Sequence, residues 1–339
     1  MEIAKVSKKN TPQKKRTVIR QATLPLHVML IPGIFLVLVF NYSTMLGVII
    51  AFQDFDATRA DGTLLSIFFS SKWASNNGMG NFLHVVQNAD AVRAIINTIT
   101  IALMKMVTMF FSPIILSLLL NEIKKQFIKA GIQTIIYMPH FLSWVILGGI
   151  IAQLMSMNGV FNNIFANFHY ISPQADLTNL GATLNEFKRT SFMEQASIFQ
   201  PIVIVSNIWK EIGWSTIIYL AAISGVDPTL YEAAVMDGAN KLKQVWHITL
   251  PGMTPIIVLL LVLSLGGIFN AGFDQIFNLI NITTYSTGDI IDTFVYRISF
   301  RDNNWALGAA VGLFRSVISL VLISVSYFLA FKFAKYEIF

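Results

Sequence analysis

Residues 224–251 read SGVDPTLYEAAVMDGANKLKQVWHITLP, a polar stretch of 28 residues between two long apolar runs. Asp227 and Pro228 favour the start of a helix, because aspartate can accept a hydrogen bond from the free amides of the first turn and proline fits that turn. Gly238 can end the helix in a left-handed conformation, and residues 240–247 favour a second short helix. The stretch therefore predicts a helix–turn–helix at the surface of a membrane.

The composition of the whole chain excludes most soluble proteins. Hydrophobic residues make up 55% of its 339 residues and charged residues 12%, where a soluble domain is about 25% charged. The chain contains no cysteine, no His-Glu-x-x-His motif and no Gly-Lys pair, which excludes disulfides, thiolate chemistry, that zinc site and the P-loop. We therefore expect an integral membrane protein with no catalytic site, no metal site and no bound cofactor of its own.

Six apolar stretches are long enough to cross the hydrocarbon core, which takes about 20 residues. They are 24–46, 95–120, 134–157, 199–223, 253–280 and 307–331. Residues 1–23 carry seven basic side chains and are interpreted as a retained cytoplasmic tail, because no small-residue cleavage site follows the first apolar run. No aromatic residue interleaves these charges, so a nucleic-acid-binding arm is not expected. The fold class predicted is an all-α, polytopic membrane protein with six transmembrane helices.

The distribution of lysine and arginine predicts which side of the membrane each loop faces. With the N-terminus inside, the predicted cytoplasmic segments carry 14 of these residues and the external segments carry 7. Cytoplasmic loops carry the excess of positive charge in membrane proteins, so we expect both termini and the loop 224–252 in the cytoplasm. The external segment 158–198 either packs on the outer face, where a soluble partner or substrate would arrive, or is a solvated loop.

The helix–turn–helix resembles the cytoplasmic EAA loop of the membrane subunits of binding-protein-dependent ABC importers. The matching positions are Glu232, Ala233, Ala234, Gly238, Ile248, Leu250 and Pro251, and Asp237 and Ala239 agree with the sugar-importer version. Further segments resemble the branch that imports oligosaccharides and polysaccharide fragments, such as alginate importers and lipoprotein-dependent polysaccharide importers. These are 137–145, 209–214, 218–222, 97–98, 120–122, 292–296 and 47–52. The likeness covers most of 25–335.

This resemblance implies a type I ABC importer permease fold, with a transmembrane permease domain over 24–335 and an ATPase-coupling loop over 224–252. It implies a second permease subunit that is a non-identical homologue, and two ATPase subunits that bind ATP and magnesium. It also implies an extracytoplasmic solute-binding protein that delivers an oligosaccharide, no nucleic acid, and a lipid-facing surface in the bacterial cytoplasmic membrane. The implied coupling residues are Tyr231, Glu232, Ala233, Ala234, Asp237, Gly238, Ala239, Ile248, Leu250 and Pro251.

Two alternative functions remain open at this point. The chain could be the permease of an ABC importer for another class of solute, although the Asp-Gly-Ala form of the loop argues against it. It could also be a secondary transporter, a class that usually shows paired internal repeats and broken helices in matching halves. Neither feature is evident in the sequence, and an intramembrane enzyme lacks a catalytic constellation.

Ionisable residues at bilayer depth are costly and usually have partners. Lys105 and Glu211 lie at matching depths in two predicted spans, and so do Asp274 and Arg315, which predicts two ion pairs. His140 has no neighbouring ligand three or four residues away, which favours a hydrogen-bonded or interfacial role over metal binding.

Sugars bind to aromatic surfaces and to amide or carboxyl groups, so charged, amide and aromatic side chains in the spans are candidates for a substrate pathway. The same side chains also suit packing, interhelical hydrogen bonding or contact with the partner subunit. The predicted pathway residues are Trp144, Lys105, Glu211, Asn270, Phe273, Asp274 and Gln275.

Overall fold

The computed structural model describes residues 13–55, 71–164, 191–267 and 270–334, which are almost entirely helical. The helices are α1 (Gln13–Val37), α2 (Gly80–Gln87), α3 (Ala89–Asn121), α4 (Gln126–Tyr137), α5 (Trp144–Leu154), α6 (Ala196–Ser224), α7 (Pro228–Met236), α8 (Lys241–Gln244), α9 (Leu250–Leu265), α10 (Phe273–Leu279), α11 (Ile291–Tyr296) and α12 (Trp305–Ala334). Within these ranges the only β-structure is a single bridge between Gln53 and Trp73. The predicted all-α fold class is confirmed.

Four helical stretches are long and apolar enough to cross a membrane: Pro25–Phe52, Ala89–Asn121, Lys241–Leu265 and Trp305–Val325. A fifth candidate consists of Gln126–Phe141 and Trp144–Leu154, which pass the same test together. The remaining predicted span, 199–223, lies in the 29-residue helix α6, whose hydropathy is lowered by Lys210 and Glu211. The chain is therefore a multi-pass membrane protein, and the number of six spans and the side of each terminus stay predictions.

One predicted span, 134–157, is not a continuous helix. α4 runs into a 3-10 turn, Met138–Phe141, and the chain then bends by 102° before α5 begins. Pro139 lies inside this turn and cannot donate a backbone hydrogen bond, which weakens the helix there. Ser143 caps the new helix by accepting a hydrogen bond from the backbone N–H of Ile146 at 3.4 Å. The sequence indicated no broken helix here, because the residues on both sides of the bend are apolar.

A second predicted span, 253–280, is also broken. The helix that contains α9 ends at Leu265, and a separate helix of seven residues, α10, begins at Phe273. Between them Gly272 has a φ of +88°, a conformation that glycine adopts more easily than other residues. The apolar composition of 253–280 does not distinguish one long helix from two shorter ones, so the continuous span predicted from it is wrong.

The core of the described fold lies where α3 packs along α6. Its buried side chains include Ile101 of α3, Phe199 and Val203 of α6, and Ile276 of α10. A second apolar cluster joins α11 and α12 to residues around Ala51. α10 and α11 are thus held on a scaffold of long helices, which fixes the positions of the polar residues described below.

The orientation predicted from the charge distribution can be tested by cysteine labelling, because the chain contains no cysteine. Lys125, Asn240 and Asp302 are all exposed in the structure. We expect a membrane-impermeant maleimide to label Asp302→Cys in intact cells, and to label Lys125→Cys and Asn240→Cys only after permeabilisation. The cysteine-free parent is the control, and labelling of Asn240→Cys from outside would contradict a cytoplasmic loop.

Candidate functional site

Lys210 fills the break between α4 and α5. Its side chain is buried, and its ammonium group donates to the backbone carbonyl oxygens of His140 at 2.5 Å and Leu142 at 2.8 Å. A third carbonyl, that of Pro139, lies 3.5 Å away. An ammonium group has three donors, and carbonyls that a broken helix leaves free within a membrane must be satisfied by the protein itself. Lys210 therefore stabilises the bend.

Glu211, the next residue of α6, holds the side chain at the same bend. Its Oε2 lies 2.8 Å from Nδ1 of His140, and its Oε1 lies 3.7 Å from the ammonium of Lys210. The imidazole of His140 stacks on Trp214, with 4.6 Å between ring centroids and 3° between ring planes. The hydrogen-bonded role predicted for His140 is confirmed.

Lys105 occupies an equivalent position at the second break. Its buried ammonium donates to the carbonyl oxygen of Ala271 at 2.6 Å and to Oε1 of Gln275. The amide of Gln275 in turn donates to the carbonyl of Val203 at 2.7 Å and to Oγ of Ser206 at 2.9 Å. This network connects α3, the start of α10 and α6.

Neither ion pair predicted by depth forms as a direct contact. Lys105 and Glu211 are near enough for an electrostatic interaction, but each makes its short contacts with the partners just described. Arg315 of α12 pairs with Asp292 of α11 and not with Asp274. The prediction assumed continuous spans, and the break before α10 removes Asp274 from the position that a continuous helix would give it.

A cavity of about 260 Å³ lies between the first break and α10. Its lining residues are Leu142, Ser143, Trp144, Val145, Lys210, Asp274 and Asn278. The ammonium of Lys210 lies 5.7 Å from the ring centroid of Trp144. The cavity thus combines an aromatic ring, a carboxylate and an amide, groups that can contact the C–H surface and the hydroxyls of a sugar.

The structure brings only part of the predicted pathway set to this cavity. Trp144 and Asp274 line it, whereas Lys105 and Gln275 are buried in their own network and Glu211 binds His140. Asn270 and Phe273 lie beside it at the start of α10, and Asn270 accepts a hydrogen bond from the amide of Gly272. Sequence reasoning did not assign Lys210 to this set, and Asn278 lies one helical turn after Asp274 on α10. Nothing in the sequence identified Lys210, because the carbonyls that it binds become free only through the bend.

The helix–turn–helix predicted at 224–251 is present, and its first helix is α7. Asp227 caps it by accepting a hydrogen bond from the backbone N–H of Thr229 at 2.9 Å, which lowers the pKa of the Asp227 carboxyl. Gly238 ends it with a φ of +72°. The amide of Gly238 donates to Val235 at 3.0 Å and that of Ala239 to Ala234 at 2.8 Å, the paired bonds that commonly close a helix ending in glycine.

The second half of the loop is continuous with a long helix. α8 passes through a π turn, Val245–Thr249, into α9, so that Lys241–Leu265 forms one helical stretch. The hydroxyl of Tyr231 on α7 lies 3.0 Å from Oγ1 of Thr249, which ties the first helix to this stretch. Glu232, by contrast, is exposed. The loop is therefore a pair of helices tied by a hydrogen bond, and the acidic side chains of Glu232 and Asp237 are available to a partner.

A cavity of about 630 Å³ opens between this loop and the end of α3. Glu122 at that end lies 3.6 Å from the ammonium of Lys241. Among the residues around the cavity, the side chains of Val235 and Met236 are exposed, the latter to 86%. An exposed apolar surface of this kind beside an acidic residue is typical of a protein-binding site.

Comparison with known proteins agrees with this architecture. Residues 90–335 match the family described as binding-protein-dependent transport system inner membrane component. Protein LplB of Bacillus subtilis is 37% identical over 309 residues, which cover 91% of this chain and 89% of LplB. The polygalacturonan/rhamnogalacturonan transport system permease protein YteP of the same bacterium is 36% identical over 311 residues, which cover 91% and 88%.

Solved structures give the same result. The crystal structure of a bacterial ABC transporter involved in the import of the acidic polysaccharide alginate aligns with a TM-score of 0.79 at 32% identity, over 94% of this chain and 99% of that chain. The structure of a bacterial alginate ABC transporter in complex with an alginate pentasaccharide-bound periplasmic protein aligns with a TM-score of 0.75 at 34% identity, over 94% and 98%.

The fold and the loop thus define a membrane permease of the type I ABC importer class, which has no catalytic function and relies on a separate subunit for ATP hydrolysis. The chain belongs to the family of binding-protein-dependent transport system inner membrane components. Its broken helices, treated above as a mark of secondary transporters, are therefore features of an ABC importer permease.

The contribution of Lys210 to the stability of the bend can be measured by substitution. Lys210→Met keeps the length of the side chain and removes its donors, so the carbonyls of His140 and Leu142 lose their partner. Each stranded buried group costs about 1–3 kcal/mol, and we expect a clear loss of thermal stability of the complex in detergent. The control is Lys125→Met, at an exposed lysine, and equal stability of the two variants would contradict this role.

Proposed function

We propose that this protein forms half of the translocation pathway of an ATP-driven importer of oligosaccharides or polysaccharide fragments in the bacterial cytoplasmic membrane. The observation that carries the proposal is similarity over nine-tenths of the chain to YteP and to the alginate transporters, whose names state polysaccharide transport. The other half is a second permease, and an external binding protein delivers the substrate. Two ATPase subunits bind ATP and magnesium.

The coupling loop supports the ATP-driven part of this proposal. Glu232 is exposed on α7 and is free to pair with a basic residue of an ATPase subunit, while Met236 and Val235 offer apolar contact. The proposed coupling residues are those of the EAA loop, Tyr231, Glu232, Ala233, Ala234, Asp237, Gly238, Ala239, Ile248, Leu250 and Pro251. Because the bond between Tyr231 and Thr249 ties α7 to the helix Lys241–Leu265, a displacement of α7 passes into that helix.

The cavity between the first break and α10 supports the sugar-binding part. Asp274 and Asn278 can accept hydrogen bonds from sugar hydroxyls, and Trp144 offers an aromatic surface. The proposed pathway therefore contains Trp144, Asp274 and Asn278, together with Asn270 and Phe273 beside them. A permease for a solute other than a sugar is the remaining alternative, and no residue of this cavity favours it.

The substrate class is tested with the complete complex, reconstituted with its second permease, ATPase subunits and binding protein in liposomes. We expect ATP-dependent uptake of oligosaccharides from a panel that contains neutral and uronate chains of several lengths. Amino acids, phosphate and metal ions form the contrasting panel. Uptake of one of these solutes without uptake of any sugar would contradict the proposal.

The loop's part in coupling is tested at Gly238. No atom lies within 4 Å of the position that a β-carbon would take, so the cost of a substitution comes from the positive φ alone. Gly238→Val forces a β-branched residue into that conformation, at about 1–2 kcal/mol, and misdirects α7. We expect normal membrane insertion but loss of the ATPase activity that the binding protein stimulates.

The matched control is Gly238→Asn, because asparagine tolerates the left-handed conformation, and this variant should retain most of the stimulated activity.

Glu232→Ala removes a charge-assisted hydrogen bond worth about 1.5–3 kcal/mol and should lower stimulated hydrolysis without altering the fold. If all three variants retain full stimulated hydrolysis and uptake, the loop is a simple connection.

A further inference from the structure

Five aromatic rings form an unbroken row outside the cavity, and we call them the aromatic row: Phe273, Phe277, Tyr296, Phe300 and Trp305. Successive ring centroids along the row lie 5.2, 5.0, 5.1 and 4.7 Å apart. The row begins on α10, follows α11 and the π turn Arg297–Arg301, and ends at the first residue of α12. Apart from Phe273, which belongs to the proposed pathway, these rings have no proposed function so far.

The aromatic row is exposed on one side and firmly supported on the other. Phe277, Tyr296 and Phe300 are 44%, 42% and 60% exposed, whereas Phe294 and Ile298 of the same helical turns are buried. The supporting segment is fixed to α3 through hydrogen bonds, for example from the amide of Ile291 to Oγ1 of Thr98 at 2.8 Å. It is fixed to α12 through the ion pair between Asp292 and Arg315.

One end of the aromatic row adjoins the candidate sugar cavity. α10 carries Phe273 and Phe277 in the row, and it also carries Asp274 and Asn278 in the cavity wall. The other end, Trp305, begins the last helix at the side of the membrane that the charge distribution places outside. The row therefore extends from the outer end of the last helix to the cavity.

Polar residues border the aromatic row at both ends. Asp274 and Asn270 are exposed beside Phe273, and Arg301 and Asp302 are exposed beside Phe300. A lipid-facing surface at this level would not carry an exposed carboxylate, because charged side chains in contact with hydrocarbon are costly. A chain of sugar rings suits the surface better, since its C–H faces pack on aromatic carbon and its hydroxyls reach the flanking polar groups.

We propose that the aromatic row is a track on which an oligosaccharide of several rings moves from the external face to the cavity. This inference rests on the function proposed above and adds a second contact surface for the same substrate. A continuous row of rings with no dedicated hydrogen-bonding partner at each step holds a sugar chain without fixing it at one place. The track therefore matters most for chains long enough to span several rings.

The experiment uses the complete reconstituted complex and compares uptake of a long oligosaccharide with that of its monomer or dimer. Phe300→Ala and Tyr296→Ala should each lower uptake of the long chain roughly fivefold, because each removes an aromatic contact worth about 1 kcal/mol and interrupts the row. Co-purification of the partner subunits and basal ATPase activity should be unchanged. Phe300→Trp keeps the row aromatic and should retain uptake.

The matched control is Phe35→Ala on α1, because Phe35 is 61% exposed, about the same as Phe300. If Phe300→Ala and Phe35→Ala give equal uptake at every chain length, the row is a lipid-facing aromatic belt and the proposal is wrong. If the row variants lose the second permease during purification, the row is a subunit interface and the proposal is also wrong. Absence of any oligosaccharide uptake by the unmodified complex would overturn the proposed function and the track together, before any variant is compared.

Discussion

Two buried ammonium groups hold the irregular part of this membrane protein in place. Lys210 binds the carbonyl oxygens at the bend before α5, and Lys105 binds the carbonyl oxygen of Ala271 at the break before α10. Water can satisfy free carbonyls in a soluble protein, but the hydrocarbon core offers no such partner, so a helix can break there only where protein groups replace its bonds. The direction of α5, the position of α10 and the cavity between them all depend on these two lysines.

The local signals in the sequence predicted the coupling loop well. Asp227 caps the start of α7 and Gly238 ends α7 in a left-handed conformation. Both effects involve only neighbouring residues of the chain, so they do not depend on distant packing. The helix breaks depend on Lys210 and Lys105, which come from other helices and meet the breaks only after folding. Apolar composition indicates how readily a segment enters the bilayer, but it contains no information on these hydrogen bonds. The pairing of charges by depth failed because it too took each span as one continuous helix.

The break before α10 also joins the two regions proposed to act in transport, the coupling loop and the cavity. The helix Lys241–Leu265 starts at the coupling loop and, with 25 residues, extends for about 38 Å. It ends at Leu265, the break that follows contains Gly272 and the network of Lys105, and the next helix carries Asp274 and Asn278 of the cavity wall. A stiff helix moves as one body, whereas a break with a glycine at positive φ can change direction. The geometry therefore allows movement at the loop to change the cavity wall without deforming the helix between them.

The chemistry of the cavity favours weak binding of substrate. The donors of Lys210 are directed at the carbonyls of the bend, so its ammonium contributes positive charge to the cavity but few free hydrogen bonds. Asp274 and Asn278 remain as the groups that can bind hydroxyls, beside a single aromatic ring, Trp144. A transport pathway must bind its substrate well enough to admit it and weakly enough to release it. Because the strongest polar group in the wall is occupied by the backbone, we propose that this cavity meets the second requirement and that the external binding protein of the proposed complex selects the sugar.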